Sequence, residues 1–327
     1  MQSTIRCAAM ALAVAFALPS GPAMAQNYPT RPVTIVVPLA AGTGMDSLVR
    51  IYGEKLSQAL GQPVVVENKP GAALMLGAAY VASSAPDGYT LGITTSSVMA
   101  FNPVLYKKVN YDPNGFAPIS LYVKSPFILV VAGDSPAKTA PDLIKLAKES
   151  KDPLTFASTG TGTALHLAGE YMKHRFGLTM THVPYRNTAQ SLGDVMTGRV
   201  TFSFAEAGAS LPLIRDGKLR ALAVSSSSRL PTLPDIPTFA EAVKVPDFEF
   251  VSWHLLVAPA ATPKPVVERL QAEMRKIMAE PDVQKRIANI GLLAVNMPTV
   301  TDIEKFIASE RNKWTKLVTD LGLAGSR

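Results

Sequence analysis

The feature that most restricts the fold is a unit that occurs twice: an apolar strand, a loop of glycines and hydroxyls, and a helix. The first copy runs from Val33–Val37 through Pro38-Leu39-Ala40-Ala41-Gly42-Thr43-Gly44-Met45-Asp46 into a helix expected over Ser47 to Leu60. Leu48, Ile51, Leu56 and Leu60 recur there near helical spacing, and Gly61 supplies the stop. The second copy is a strand at Leu154–Ala157, the loop Ser158-Thr159-Gly160-Thr161-Gly162, and a helix over Ala164–Phe176. Between them lie a strand at Val64–Glu67, a helix at Ala72–Ser83, a strand at Tyr89–Thr94, and two apolar stretches, Ile119–Val123 and Phe127–Val131. Thr139-x-x-Asp142 caps a helix that ends near Ser150. Strand-helix alternation of this kind implies an α/β fold with a largely parallel sheet covered on both faces.

After the second unit come strands at Val200–Phe204 and Leu219–Val224, a proline-rich loop at Pro231–Pro237, and another apolar strand over Phe250–Val257. Helices close the chain, one starting at Thr262-Pro263 and the last capped by Thr301-x-x-Glu304, with Trp314 on its apolar side. The return near residue 250 predicts two lobes, residues 26–124 with 252–327 in one and 125–251 in the other. Two chain crossings then form a hinge. Ligands of open α/β sheets sit beyond the carboxyl ends of the strands, which puts the expected site in the cleft between lobes. Trp253 falls at a crossing, so it is expected to sense the cleft while Trp314 does not.

Composition narrows the function. With 47% apolar and 17% charged side chains over 327 residues, the chain can bury a sizeable core, which excludes a disordered protein. Met1 to Arg6 carries a charge, Cys7 to Leu18 is continuously apolar, and Ala23-Met24-Ala25 is a small-x-small site, the pattern of a signal peptide cleaved after Ala25. Cleavage removes the only cysteine, so disulfide and thiolate chemistry are excluded from the mature chain, and the formal charge falls from +7 to +6. The basic residues are scattered, with no arginine-rich run, which gives nucleic-acid binding little support.

Both glycine loops leave amide hydrogens at the positive end of a helix, a setting for an anion. Gly42-x-Gly44 is followed by Ser47 in place of the third glycine of a dinucleotide fingerprint, and it has no P-loop lysine. Thr94-Thr95-Ser96-Ser97 adds a hydroxyl-rich loop after the third strand, and the loop running on through Thr163 to His166 has no acidic residue before Glu170. None of the three loops contains lysine or arginine. Tyr185 and Arg186, ahead of another helix, offer a phenol and a cation able to pair a carboxylate bidentately. No Gly-x-Ser-x-Gly elbow or His-Glu-x-x-His occurs, and His166, His174, His182 and His254 lack metal-ligand spacing, so no metal and no cofactor is expected. A hydrolase pairing His166 or His254 with a cleft serine stays open as the alternative, as does a sensory receptor.

The chain resembles the periplasmic substrate-binding proteins of tripartite tricarboxylate transporters, the Bug receptors. The segments that carry this include Tyr28-Pro29-x-Arg31-Pro32, the Pro38 to Asp46 loop, Glu67-Asn68-Lys69-Pro70-Gly71, Ala85-Pro86-Asp87-Gly88-Tyr89-Thr90-Leu91, Gly160-x-Gly162-Thr163-x-x-His166-Leu167-Ala168, His182-Val183-Pro184-Tyr185, and Gly217-Lys218-Leu219-Arg220-Ala221-Leu222-Ala223-Val224. The resemblance implies a two-lobed, type II-like periplasmic binding protein that closes about a hinge on a small organic carboxylate, di- or tricarboxylic or aromatic, terephthalate included. It implies a ligand site at Leu39, Ala40, Ala41, Gly42, Thr43, Asp46, Thr95, Ser96, Ser97, Ser158, Thr159, Gly160, Thr161, Gly162, Thr163, His166 and Tyr185, with Arg186 beside it. It further implies a monomer in the periplasm, no enzyme activity, and delivery to the membrane subunits of such a transporter. Where the family commonly has phenylalanine and a glycine pair, this chain has Leu39 and Gly42-Thr43, so one aromatic wall is lost and a hydroxyl is gained.

Overall fold

The computed structural model describes residues 28–246 and 248–326; the signal segment expected at 1–25 lies outside the described residues. The first unit forms β1 (Val33–Val37), α1 (Gly44–Leu60) and β2 (Val64–Asn68), then α2 (Met75–Ala82), β3 (Thr90–Thr95) and the short α3 (Asn102–Leu105). After them come β4 (Phe116–Ala132), α4 (Ala140–Glu149), β5 (Leu154–Ser158), α5 (Ala164–Phe176) and β6 (Met180–Pro184). The rest is α6 (Thr188–Met196), β7 (Phe202–Glu206), α7 (Ala207–Arg215), β8 (Leu219–Val224), α8 (Phe239–Val243), β9 (Val251–Pro259), α9 (Lys264–Ala279), α10 (Pro281–Asn289), β10 (Leu293–Ala294) and α11 (Val300–Asp320).

The strands run in the order β2-β1-β3-β9-β4-β7-β5-β6, with β8 and β10 also paired to β4. β1 is parallel to β2 and β3, and β5 is parallel to β6 and β7. The two parallel groups are joined through β4 and β9, which are antiparallel to each other and to β3 and β7. The two apolar stretches expected between residues 119 and 131 are therefore one strand. Up to Pro126 it pairs with β9, and from Phe127 onward with β7 and β8. Ser225 fixes the exchange: its hydroxyl accepts the Phe127 amide at 2.8 Å and donates to the Phe250 carbonyl, while its own amide bonds Phe127 O at 2.8 Å.

Other differences have local causes. The helix expected from Ala72 starts only at Met75, because Ala72, Ala73 and Leu74 take positive φ of 47°, 52° and 72°. That turn is held by Asn102, whose side-chain amide donates to Ala73 O at 3.1 Å. α1 begins at Gly44, earlier than expected, because Thr43 caps it. The last helix is capped by Thr299, not Thr301, since the Thr299 hydroxyl accepts the Asp302 amide at 3.1 Å. The Thr139–Asp142 capping box is present as expected.

The core is continuous across the strand crossing. Trp314 stacks edge-on against Phe101 at 4.2 Å and Phe250 at 4.6 Å, and Trp253 against Phe306 at 5.4 Å. The two tryptophans, assigned separate roles from sequence, share one partner: both indole N–H groups donate at 2.8 Å to the same oxygen of buried Glu310. Removing that acceptor strands two buried donors, each worth about 1–3 kcal/mol. Glu310→Leu is expected to lower unfolding free energy by about 2–5 kcal/mol in denaturant titrations with little change in slope, and Glu310→Gln, which keeps an acceptor oxygen, by clearly less.

Candidate functional site

Register brings the loops together. Thr95, the last residue of β3, lies opposite His254 of β9, which lies opposite Val123 of β4; Glu206, the last residue of β7, lies opposite Phe127. The carboxyl ends of the two parallel groups thus meet over Lys124–Pro126. The loops after β1, β3 and β5 open onto that line, and Gly162 is near enough to α3 that a Cβ on it would sit 3.4 Å from Leu105 Cδ1.

The glycine loops after β1 and β5 are built alike. Gly42 and Gly162 have φ of 82° and 85°, a left-handed conformation that glycine adopts without strain. The next residues, Thr43 and Thr163, cap the helices: each hydroxyl accepts the amide three residues on at 3.3 Å and donates back to a carbonyl, Ala40 O at 3.1 Å and Gly160 O at 2.8 Å. A side chain on the first helical turn then holds the glycine amide. In the first loop Asp46 accepts Gly42 N–H at 2.9 Å, and in the second His166 Nδ1 accepts Gly162 N–H at 3.2 Å. With these bonds made, the amides of Ala40, Ala41, Thr159 and Thr161 take no hydrogen bond among the described residues.

Asp46 is buried and fully committed. Arg50 donates to both of its oxygens at 3.1 Å and Asn68 at 2.8 Å, and the same Asn68 amide reaches Leu39 O at 2.9 Å. Burial pushes the Asp46 carboxyl up, but the Arg50, Gly42 and Asn68 hydrogen bonds outweigh it and hold the group below its ordinary value. Asp46 therefore sets the loop's shape. Arg50 and Asn68, absent from the expected site, belong to this staple; their signal in sequence is the i,i+4 acid–base spacing and the Glu67-Asn68-Lys69-Pro70-Gly71 segment.

The second loop rests on a polar cluster. Ser158 Oγ accepts the Gly160 amide at 3.1 Å and lies 2.6 Å from His182 Nε2, and the His166 and His182 rings pack with centroids 4.2 Å apart beside Phe156. After β3, Ser96 is buried and shares a 3.1 Å hydroxyl contact with Ser252, and Thr95 Oγ1 accepts the Ser97 amide at 3.2 Å. The Tyr185 hydroxyl donates to Asp194 at 2.7 Å; burial and that bond push it up to about 12. Arg186 is exposed and unpaired among the described residues. A surface hollow of about 500 Å³ lies apart from all three loops, lined by Ile144, Phe176 and Val243 among others.

His254, opposite Thr95, is buried. Along β9, Trp253 and Leu255 face one core cluster, and His254 points the other way, its ring 6.1 Å from Tyr122. Burial lowers it to about 4.

The chain belongs to the tripartite tricarboxylate transporter family of receptors, whose description it matches over residues 48–323. Among solved structures, the Rhodopseudomonas palustris protein Rpa4515 with adipate is similar at 33% identity and a TM-score of 0.82, covering 91% of this chain and 99% of that one. The periplasmic binding protein BugD is similar at 34% identity and 0.79, with 91% and 99% covered. MatC of the same Rhodopseudomonas palustris, with bound malate, follows at 30% and 0.77, with 89% and 100% covered. The fold is that of periplasmic binding proteins, and the family consists of solute receptors, not enzymes. No helix among the described residues is long and apolar enough to cross a membrane.

Two expectations follow. Gly162→Val places a β-branched residue at φ 85° against Leu105, and it is expected to weaken ligand binding at least tenfold by calorimetry while the variant stays folded. His254 is neutral in the folded state down to about pH 4 but titrates near 6.5 when unfolded, so stability falls as pH drops through that window, by up to about 3 kcal/mol. Denaturation at pH 7.5 and 5 is expected to show a smaller drop in His254→Leu.

Proposed function

We propose that this protein captures a small organic carboxylate between the loops 39–43, 95–97 and 158–163 and presents it to the membrane subunits of a tripartite tricarboxylate-type transporter. The observation that carries this reading is the pair of matched glycine loops, each with backbone amides that make no hydrogen bond among the described residues, at the carboxyl ends of the two parallel strand groups. Amides at helix starts stabilise an anion without a cationic side chain, and ordered water can complete the contacts. The adipate and malate of Rpa4515 and MatC fit that chemistry. On this reading residues 26–124 with 252–327 form one lobe and 125–251 the other, closing about the crossings at Ser125–Phe127 and Phe250–Trp253. Export through the segment ending at Ala25 puts a monomeric receptor in the periplasm.

The test is calorimetric titration with adipate, malate, citrate, glutamate, nicotinate and terephthalate, with product analysis alongside. One-to-one saturable binding without turnover is expected for at least one compound. At about 100 times its dissociation constant that compound stabilises the fold by about 2.7 kcal/mol, visible as a rise in Tm. Turnover, or no binding by any carboxylate, overturns the reading.

A further inference from the structure

Glu206 makes no contact through its carboxylate that holds the fold. It ends β7 at the strand crossing, opposite Phe127, and β7 runs parallel to β5 with Ser203 beside Ala157. β5 ends one residue later at Ser158, so Glu206 stands level with the 158–163 loop on the neighbouring strand. Side chains alternate along a strand, and Phe202, Phe204 and Phe127 all belong to the core under α5. Glu206 shares their face, and α5 begins where that loop ends. From the other side the turn at Ile290-Gly291 closes in: a Cβ on Gly291 would lie 2.3 Å from Ala207 Cβ.

The side chain is open to solvent, but the protein around it hinders solvation of its charge and raises the carboxyl above its ordinary value. It precedes α7 without capping it. Its carbonyl accepts the Ser210 hydroxyl at 2.9 Å, but among the described residues its carboxylate takes part in no hydrogen bond or ion pair. A carboxylate level with the 158–163 loop and without an opposite charge is placed to pair with a cation that a ligand brings. The three loops carry neither lysine nor arginine, so a simple dicarboxylate would enter next to an uncompensated negative charge. A molecule bearing both a carboxylate and an ammonium meets both needs, its anion on the loop amides and its cation on Glu206.

We propose that Glu206 is a specificity-determining residue that pairs with a cationic nitrogen of the ligand, so that the preferred class is amino-carboxylates over plain di- or tricarboxylates. The proposal rests on the carboxylate reading above. The helix dipole of α7 also favours an acidic residue at this position, but it gives no preference for an amino group.

The mature chain is titrated with matched pairs that differ only by an amino group: succinate and aspartate, glutarate and glutamate, adipate and 2-aminoadipate, 3-phenylpropionate and phenylalanine. In the best-binding pair the amino member is expected to bind about tenfold tighter or more, as a charge-assisted contact gives. Glu206→Gln is expected to reduce that ratio to within about threefold, leaving the deaminated member as tight or tighter, and Glu206→Asp to keep part of the preference. Circular dichroism and Tm establish that both variants are folded. Equal or weaker binding of the amino members, or a preference undiminished in Glu206→Gln, overturns the assignment while carboxylate binding stands. Failure of every compound to bind removes the carboxylate reading itself, and this one with it.

Discussion

The antiparallel pairing of β4 with β9 is the constraint on which the remaining structure depends. β9 touches β3 on one edge and β4 on the other, and β4 then exchanges β9 for β7 and β8 at Pro126–Phe127. Proline lacks an amide hydrogen, so a change of partner at that residue loses no ladder bond. The bonds from Ser225 to Phe127 and Phe250 then tie the strands where they part. Because these registers are set by buried residues such as Leu121, Leu129 and Leu255, a one-residue slip would turn apolar side chains to the wrong face. The meeting of the loops is thus a consequence of core packing, not of contacts among the loops.

The two glycine loops divide labour between backbone and side chains. Side chains at the head of each helix, Asp46 and His166 with Thr43 and Thr163, hold the loop itself, and the amides of Ala40, Ala41, Thr159 and Thr161 make no hydrogen bond among the described residues. On the proposed reading, donors held in place this way lose little freedom on binding an anion, which substitutes for a cationic side chain. The arrangement differs between loops in one respect. Asp46 is locked by Arg50 and Asn68, whereas His166 packs on a second imidazole, so the two loops reach one geometry through different side chains.

Much of this was legible in the chain. The alternation of strands and helices, the two glycine loops and the Thr139 capping box depend on residues within a few positions of one another, and local pattern reports them. What sequence did not show depends on partners distant along the chain. Asn68 reaches back to Leu39 and Asp46, and Asn102 holds Ala73, which stops a helix that alanine propensity favours. The single strand from Phe116 to Ala132 looked like two because Lys124 and Pro126 interrupt its apolar run. The sharing of Glu310 by Trp253 and Trp314 needs β9 against α11, a packing no local pattern encodes. Glu206 gave no signal for the same reason, since the strands beside it, β4 and β5, are distant along the chain.

The joint at Ser225 has a further consequence for how such a molecule can change over time. Phe127 and Phe250 are 123 residues apart in the chain yet bond to the same residue. The segment between them leaves and rejoins the paired strands β4 and β9 at one point, in the manner of a cassette spliced into a host. Lengthening or replacing loops within the cassette leaves the entry point where it is, so that part of the chain can diversify while the β4–β9 ladder and the bonds of Ser225 keep its attachment to the rest fixed.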